Sequence, residues 1–586
     1  MKENIAISQH HQKADYILRN AKIADVFSLV WREADIVVAN GKIIALDTEG
    51  KYEAQTVEDA AGGYIIPGMI DTHIHIESSM LTPEQFSRIL LPYGVTSVIA
   101  DPHEIANVSG TDGLQYMLDA AKDSTMDIYY MLPSSVPATS FEHAGAVLKA
   151  SDLAPFTKSD QVLGIAEVMD FVAVLTGDDE MLAKIQLGHD NGMIIDGHGS
   201  GLNAQQITGY RAAGIQTDHE CISAEEALDR VSQGIYVLMR EGSATKNVKA
   251  LLPAITPYNA RRFTFCTDDK HLDEMINEGT INASVKMAIS EGLDPLQAIQ
   301  IATLNAAECY RLKDKGAVAP GFIADFVLVE SIEDMTIKAV WKNGAKVAQN
   351  GQILTPEISP VEVPTRILHS VNLPKVSASD LTLPLTSSFV NIIEIVPHQV
   401  VTNKLQAHVD VADGQFIPST EKDFLKIAVF ERHLKRGTKS VAIVHGLGLK
   451  AGAIATTIAH DSHNAIVVGT NDEDMAFALN TIQDIQGGLV VVKDGKVLAK
   501  MELPVSGLMT NIPAAEAASQ LEALHEALHQ LHPALDFHLF LTLSFLSLPV
   551  IPTLKLTDTG LFDVEQFQHI SVEVEQLELI GSETKE

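Results

Sequence analysis

Cysteine is scarce: Cys221, Cys266 and Cys309 are the only three in 586 residues. So small, odd and scattered a set excludes a disulfide framework and a Cys-x-x-Cys zinc site, and it fits a reducing cytoplasm. Positive charge is scarce too. Lysine and arginine number 42 against 76 acidic residues, for a net charge of −34. Such a chain repels a phosphate backbone or an anionic membrane, so neither nucleic acid nor membrane is expected as a partner. A small neutral or cationic molecule is compatible. Long apolar runs are missing. Met1 to Leu18 is broken by His, Gln and Asp, so no secretory leader is expected. Leu539 to Ile551 holds Thr, Ser and Pro, is too short to span a bilayer, and reads as a buried core segment. There is no fixed-period repeat and no low-complexity tract.

Apolar side chains are plentiful. Hydrophobic residues make up 46% and charged residues 20%, the balance of a well-cored globular protein. The length suggests about three or four units, fewer if one is a barrel of about 250 residues.

Turn grammar divides the chain. Asp35 to Ala39, then Asn40-Gly41, then Lys42 to Ala45 is a hairpin signal, and the same grammar returns around Asn343-Gly344. Two β-rich flanks, 1–66 and 316–360, therefore predict one small β-sandwich domain built from both. Between them, over 67–315, strands expected at 68–75, 95–101, 127–135, 161–168, 193–198, 215–220, 235–242 and 262–268 alternate with helical segments such as 203–213, 223–234 and 294–312. Eight such alternations fit an α/β fold of the (β/α)₈ barrel type better than an open doubly wound sheet. A Pro/Ser/Thr-rich stretch, 361–388, reads as a linker or surface-hugging arm. Residues 389–586 form a further C-terminal α/β or α+β unit. It has expected strands at 440–445 and 489–493, the latter leading into Asp494-Gly495, and expected helices at 421–435 and 512–530.

Barrels of this kind carry their chemistry at the C-terminal ends of the strands. There the sequence offers His73 and His75; Asp101, His103 and Glu104; Glu167; His198; His219 with Glu220; Arg240 with Glu241; and Asp268 with Asp269. A strand repeats every two residues, so His73-x-His75 aims two imidazoles at one point. His73, His75, Glu167, His198, His219 and Asp268 together would hold two divalent ions, with Glu167 as the carboxylate between them. Gln161-Val-Leu-Gly-Ile-Ala-Glu-Val168 is apolar but for that acid, and a lone charge on such a strand calls for a strong partner. The structural alternatives are a buried salt bridge for Glu167, hydrogen-bonded core histidines for His198 and His219, and helix N-caps for Asp268 or, better, Asp269. An all-nitrogen and oxygen donor set admits Zn, Mn and Fe.

This pattern resembles the amidohydrolase superfamily and, more closely, its bacterial adenine deaminase family. The likeness is carried by Pro67-Gly-Met-Ile-Asp-Thr-His-Ile-His-Ile-Glu-Ser-Ser79, Ala100-Asp-Pro-His-Glu-Ile-Ala-Asn-Val108, Gly164-Ile-Ala-Glu-Val-Met-Asp170 and Asp196-Gly-His198. It continues through Asp218-His-Glu220, Arg240-Glu-Gly-Ser243, Cys266-Thr-Asp-Asp269, Thr457-Ile-Ala-His-Asp-Ser-His-Asn464 and Leu546-Ser-Leu-Pro-Val-Ile-Pro552. Many superfamily members bridge their metals with a carbamylated lysine. The 161–168 strand has none, which fits a glutamate bridge.

The resemblance implies hydrolysis of adenine to hypoxanthine and ammonia, a manganese-preferring binuclear site, a role in purine salvage and adenine catabolism, and a homodimer. Asp268 would take the nucleophile's proton and pass it to the leaving amine. The proton donor at N1 is open, because His198 is followed by Gly199-Ser200-Gly201 rather than by the His-x-x-Glu of related deaminases. Glu77, expected on the strand face of His73 and His75, and His103 and Glu104, just past the second strand, are the candidates. Glu77 reads equally as a partner orienting a metal histidine, and His103 and Glu104 as loop-closing groups, proton carriers or an added metal site. Arg240 and Glu241 read as an ion pair closing the barrel or, as the lesser alternative, as contacts to purine polar edges. The polar knot His460-Asp461-Ser462-His463 reads as turn hydrogen bonding or as a lid over the barrel mouth. Two further readings stand beside this one: another amidohydrolase acting on a cyclic amide or other aminated base, and a non-catalytic barrel scaffold. A nucleic-acid deaminase is disfavoured by the charge and by the missing His-x-Glu…Cys-x-x-Cys pattern.

Overall fold

The computed structural model describes residues 1–356 and 360–574. Eight parallel strands form the central layer: β1 Met69–Ile74, β2 Val95–Ala100, β3 Asp127–Leu132, β4 Val162–Val168, β5 Ile194–Gly197, β6 Thr217–Asp218, β7 Tyr236–Arg240 and β8 Phe263–Cys266. β1 to β5 make one continuous ladder and β6 to β8 a second. The ring closes at both seams. The Gln216 N–H donates to Ile195 O at 2.9 Å, and the Asp268 N–H donates to His73 O at 2.9 Å. Strands covered on both faces become unbroken apolar runs, and β1, β2 and β8 are buried at every position. The expected helices lie between the strands. Ala204–Ala212 is capped by Asn203 in a capping box with Gln206, and Ala224–Ser232 is capped by Ser223.

The two flanks share one nine-stranded sheet, in which Tyr64–Pro67 pairs with Phe326–Val329. The long strand Ala14–Asp25 pairs through its first half with Ala54–Asp59 and through its second with Tyr64–Pro67, so the sheet divides along it. The turns at Asn40-Gly41 and Asn343-Gly344 have positive φ at both central residues (52° and 71°, 51° and 77°), the geometry that Asn-Gly suits. A buried cluster ties this sheet to the barrel. Lys315 Nζ lies 2.5 Å from Asp127 and 2.9 Å from Asp325, and Lys342 Nζ lies 2.9 Å and 3.0 Å from the same pair. Asp127 begins β3, so the cluster sits at the end of the barrel remote from the chemistry.

The C-terminal unit is built on an eight-stranded sheet with the order Thr402–His408, Phe389–Ile395, Lys439–His445, Phe424–Phe430, Ala465–Gly469, Ala453–Thr456, Gly488–Lys493, Lys496–Glu502. The helix expected over 421–435 is replaced by the strand Phe424–Phe430, paired on both sides. Its Phe, Ile and Val content suits a central strand, and its one charge, Lys426, is buried against Asp472 at 2.6 Å. The helix expected at 512–530 is present as Ala514–Leu531, and Leu539–Phe545 is a buried helix. The 361–388 stretch lies against this unit, with Val371, Leu373, Val376 and Leu381 buried in a shared cluster with the sheet and the helix Asp472–Asp484. No helix among the described residues is long and apolar enough to cross a membrane.

Candidate metal centre

β1 ends at Ile74, which places His73 inside the strand and His75 one step beyond it. The rings stand edge to face, centroids 4.9 Å apart. His75 Nδ1 lies 3.0 Å from Asp101 O, and a carbonyl can only accept, so that nitrogen carries a proton. His75 Nε2 is left facing inward, 3.1 Å from Asp268 Oδ1 and 3.4 Å from Glu167 Oε1. His73 Nε2 lies 3.3 Å from Asp268 Oδ1 and 3.9 Å from Glu167 Oε1.

Glu167, near the end of β4, stands between two groups of imidazoles. Its Oε1 faces His73, His75 and His103 Nδ1, the last at 3.5 Å. Its Oε2 lies 2.7 Å from His198 Nδ1 and 3.3 Å from His219 Nε2. His73 and His219 stack with centroids 4.1 Å apart, which joins the two halves. The fold thus gathers His73, His75, Glu167, His198, His219 and Asp268 around one carboxylate. His73 Nε2 and His219 Nε2 are buried with no hydrogen-bond partner. Unpaired buried nitrogens are costly unless something is bound to them. Donor atoms about 2.0–2.2 Å from a common ion stand roughly 3–3.5 Å apart, close to the spacing found here. The residues therefore fit divalent metal, with imidazole nitrogens on both sides of Glu167. Donor groups among the described residues include His73, His75 and Asp268; His73, Glu167 and His219; His198, His219 and Glu220; His75, Asp101, His103 and Glu167; and Glu104, His460 and His463.

Burial pushes the Glu167 and Asp268 carboxyls up, but His198 and His219 around the first and Arg240 beside the second hold both well below the usual range. Both are ionised, as ligands must be. Arg240 Nη1 lies 2.8 Å from Asp268 Oδ2 and also contacts Glu220 Oε1. The ion pair expected at the end of β7 therefore runs from Arg240 to Glu220 and Asp268. Glu241 instead accepts the Val248 N–H at 3.2 Å. Arg240→Met leaves the Asp268 carboxylate without its anchor. It is expected to lower kcat/KM about 10–100-fold in steady-state kinetics and, by stranding two buried carboxylates, to lower Tm as well.

Several local expectations are corrected. Glu77 does not extend the strand face of His73 and His75. Ile76 turns into the helical region, and Glu77 opens a short 3₁₀ turn, Glu77–Ser79. It is buried all the same, with Oε1 accepting the Ile105 N–H at 3.1 Å and Oε2 unpaired. Neither Asp268 nor Asp269 caps the next helix, because Leu272–Glu278 starts after His271. Asp268 takes a left-handed backbone, φ 57°, so that its main chain bridges to β1 while its side chain faces the histidines. Asp269 Oδ1 instead accepts from Ser78 Oγ at 2.6 Å, and Glu104 Oε1 lies 2.9 Å from the same hydroxyl.

Asp71 and Arg230 were not singled out by sequence reasoning. Asp71 accepts the Thr267 N–H and hydroxyl at 3.1 and 2.5 Å, lacing β1 to the end of β8, and burial pushes its carboxyl up to about 7. The signal was available, since Asp71, His73 and His75 share one period of two. Arg230 is buried, with Nε 2.9 Å from Asp218 Oδ2 and its other nitrogens donating to Gly199 O and Leu202 O. At Gly199 a Cβ would meet Asp218 Oδ2 at 2.5 Å. Glycine there lets the main chain donate to Asp218 Oδ1 at 2.9 Å, which fixes the turn carrying His198. Arg230→Ala strands a buried carboxylate and is expected to cost about 3–5 kcal/mol, read as a fall in Tm and in the urea midpoint.

The fold and the donor set define a class. Residues 64–347 match the family model described as amidohydrolase family, and residues 399–568 match the one described as adenine deaminase C-terminal domain. The chain is 61% identical over 572 residues to the adenine deaminase of Lysinibacillus sphaericus, covering 97% of this chain and 98% of that one. It is 48% identical over 569 residues to the adenine deaminase of Bacillus subtilis, covering 97% and 98%. Among solved structures it is similar to an enamidase of the amidohydrolase superfamily, with 20% identity, a TM-score of 0.43, and 59% of this chain and 98% of that one covered. The chain belongs to the adenine deaminase family of metal-dependent hydrolases.

Proposed function

We propose that the protein hydrolyses adenine to hypoxanthine and ammonia. The observation that carries this reading is the Glu167-centred donor set, in a chain related over nearly its full length to enzymes named adenine deaminase. His73, His75 and Asp268 would hold one divalent ion, His198 and His219 the other, and Glu167 would span both. When bound, such ions acidify a water molecule and so supply a nucleophile at neutral pH.

The remaining work falls to the protein's own groups. Asp268 Oδ1 sits among the His73 and His75 nitrogens, where it takes the nucleophile's proton and delivers it to the departing amine. Arg240 holds the other oxygen of that carboxylate and so fixes its direction. Attack at C6 pushes electron density onto N1, and a proton for N1 comes from the Glu77, His103 and Glu104 side of the mouth. All three are buried beside the donor set, which keeps water away from the transfer.

All-nitrogen and oxygen donors suit manganese, iron or zinc, and the family likeness favours manganese. The same likeness carries the readings of purine salvage and a homodimer. Three free buried cysteines are in keeping with a cytoplasmic home. The test is ammonia release from adenine, adenosine, cytosine and guanine, with hydantoin and dihydroorotate hydrolysis run alongside. Turnover confined to adenine is the expected result. Hydrolysis of a cyclic amide without adenine turnover would instead favour a different amidohydrolase.

A further inference from the structure

The loop between Thr456 and Ala465 of the C-terminal unit is driven into the barrel's β2 end, and its side chains meet the Asp101 to Glu104 segment in register. Asp461 Oδ1 lies 3.6 Å from His103 Nε2, and His463 Nε2 lies 3.5 Å from Glu104 Oε2. The Ala459 N–H donates to His463 Nδ1 at 3.3 Å, so the proton of that neutral ring sits on Nε2 and faces Glu104. All four side chains are buried. Asn464 Nδ2 donates to His143 O at 2.8 Å, which anchors the loop, and elsewhere in the same unit Ser506 Oγ lies 2.7 Å from Ser109 Oγ.

His103 is the informative partner. Its Nδ1 faces Asp101 Oδ2 at 3.3 Å and Glu167 Oε1 at 3.5 Å, both within the barrel. The barrel thus fixes one nitrogen of the ring, and among the described residues the carboxylate facing the other, Asp461, comes from the C-terminal unit. A buried carboxylate is costly unless paired, and His103 is the ring Asp461 approaches most closely, the His460 Nδ1 contact being longer at 4.0 Å. The interaction with His103 is the closer of the two that offset that cost.

We infer that Asp461 is a positioning residue for the deamination: it holds the His103 ring from the Nε2 side, so that the C-terminal unit is a working part of the active site. The inference rests on the adenine deaminase reading and on His103 acting there.

The experiment is a double-mutant cycle on the full-length, metal-loaded protein, with kcat and KM for adenine measured for wild type, Asp461→Ala, His103→Ala and the double variant. Asp461→Asn is the conservative variant, since it keeps an oxygen in the place of Oδ1, 3.6 Å from His103 Nε2. Asp461→Ala is expected to lower kcat about 10–100-fold with KM within about twofold, the range seen when partners of metal-site residues are removed. Asp461→Asn is expected to recover most of that loss, and Asp461→Ala is expected to cost nothing more once His103 is Ala. Unchanged kcat in Asp461→Ala, or full additivity in the cycle, overturns the inference. So does a loss shared equally by Ala and Asn with a matching fall in Tm, which marks a structural role. A wild type that is active on adenine with an additive cycle removes this inference alone. A wild type inactive on adenine removes the functional reading and this with it.

Discussion

Asp268→Asn is expected to lower kcat for adenine by about 10²- to 10⁴-fold, the range general acid–base groups contribute, with KM changed far less. Asparagine keeps the volume and one acceptor oxygen, so the left-handed turn at residue 268 and the bridge to β1 survive. The carboxylate that moves a proton between nucleophile and amine is lost. Two oxygens now do two jobs. Oδ1 faces His73 and His75, and Oδ2 is tied to Arg240 at 2.8 Å. An amide can serve only one of these as an acceptor. Ammonia release at saturating adenine reads the effect, with bound metal counted on the same sample. A fall of less than tenfold with metal retained would remove Asp268 from the proton path.

Stripping the metal is expected to abolish turnover and to lower Tm, and refilling with Mn, Fe or Zn to restore both. The stability effect follows from linkage, because an ion that binds only the folded chain at about 1,000 times its Kd stabilises it by about 4 kcal/mol. His73 Nε2 and His219 Nε2, buried without a hydrogen-bond partner, are where that stabilisation would be made. Glu167→Gln is the matching substitution. Glutamine cannot offer two anionic oxygens to two groups of imidazoles, so metal content is expected to fall below two per chain and activity to fall with it. Full activity in exhaustively chelated protein would reject metal-assisted hydrolysis.

Much of this was legible in the sequence because strand periodicity is short and local. The eight barrel strands follow from apolar runs spaced by helices, and His73, His75, Glu167, His198, His219 and Asp268 stand out as polar residues at the ends of such runs. What failed to show were features set by partners far along the chain. The strand Phe424–Phe430 falls inside the helix expected over 421–435, whereas its state is decided by neighbours at 439–445 and 465–469. Glu77 was misplaced because nothing in Ile-His-Ile-Glu marks the turn at Ile76. The Arg240 pairing with Asp268 depended on two strand ends meeting, which only the closed ring brings about.

The sheet assembled from both flanks has a consequence for synthesis. Tyr64–Pro67 leaves the ribosome long before its partner Phe326–Val329, so the early nascent chain carries a strand edge that waits for most of the barrel to emerge. The loop bearing Asp461 arrives later still. A ribosome halted between these points would hold a finished barrel lacking that side chain, and the enzyme would gain full competence only as its last third folds.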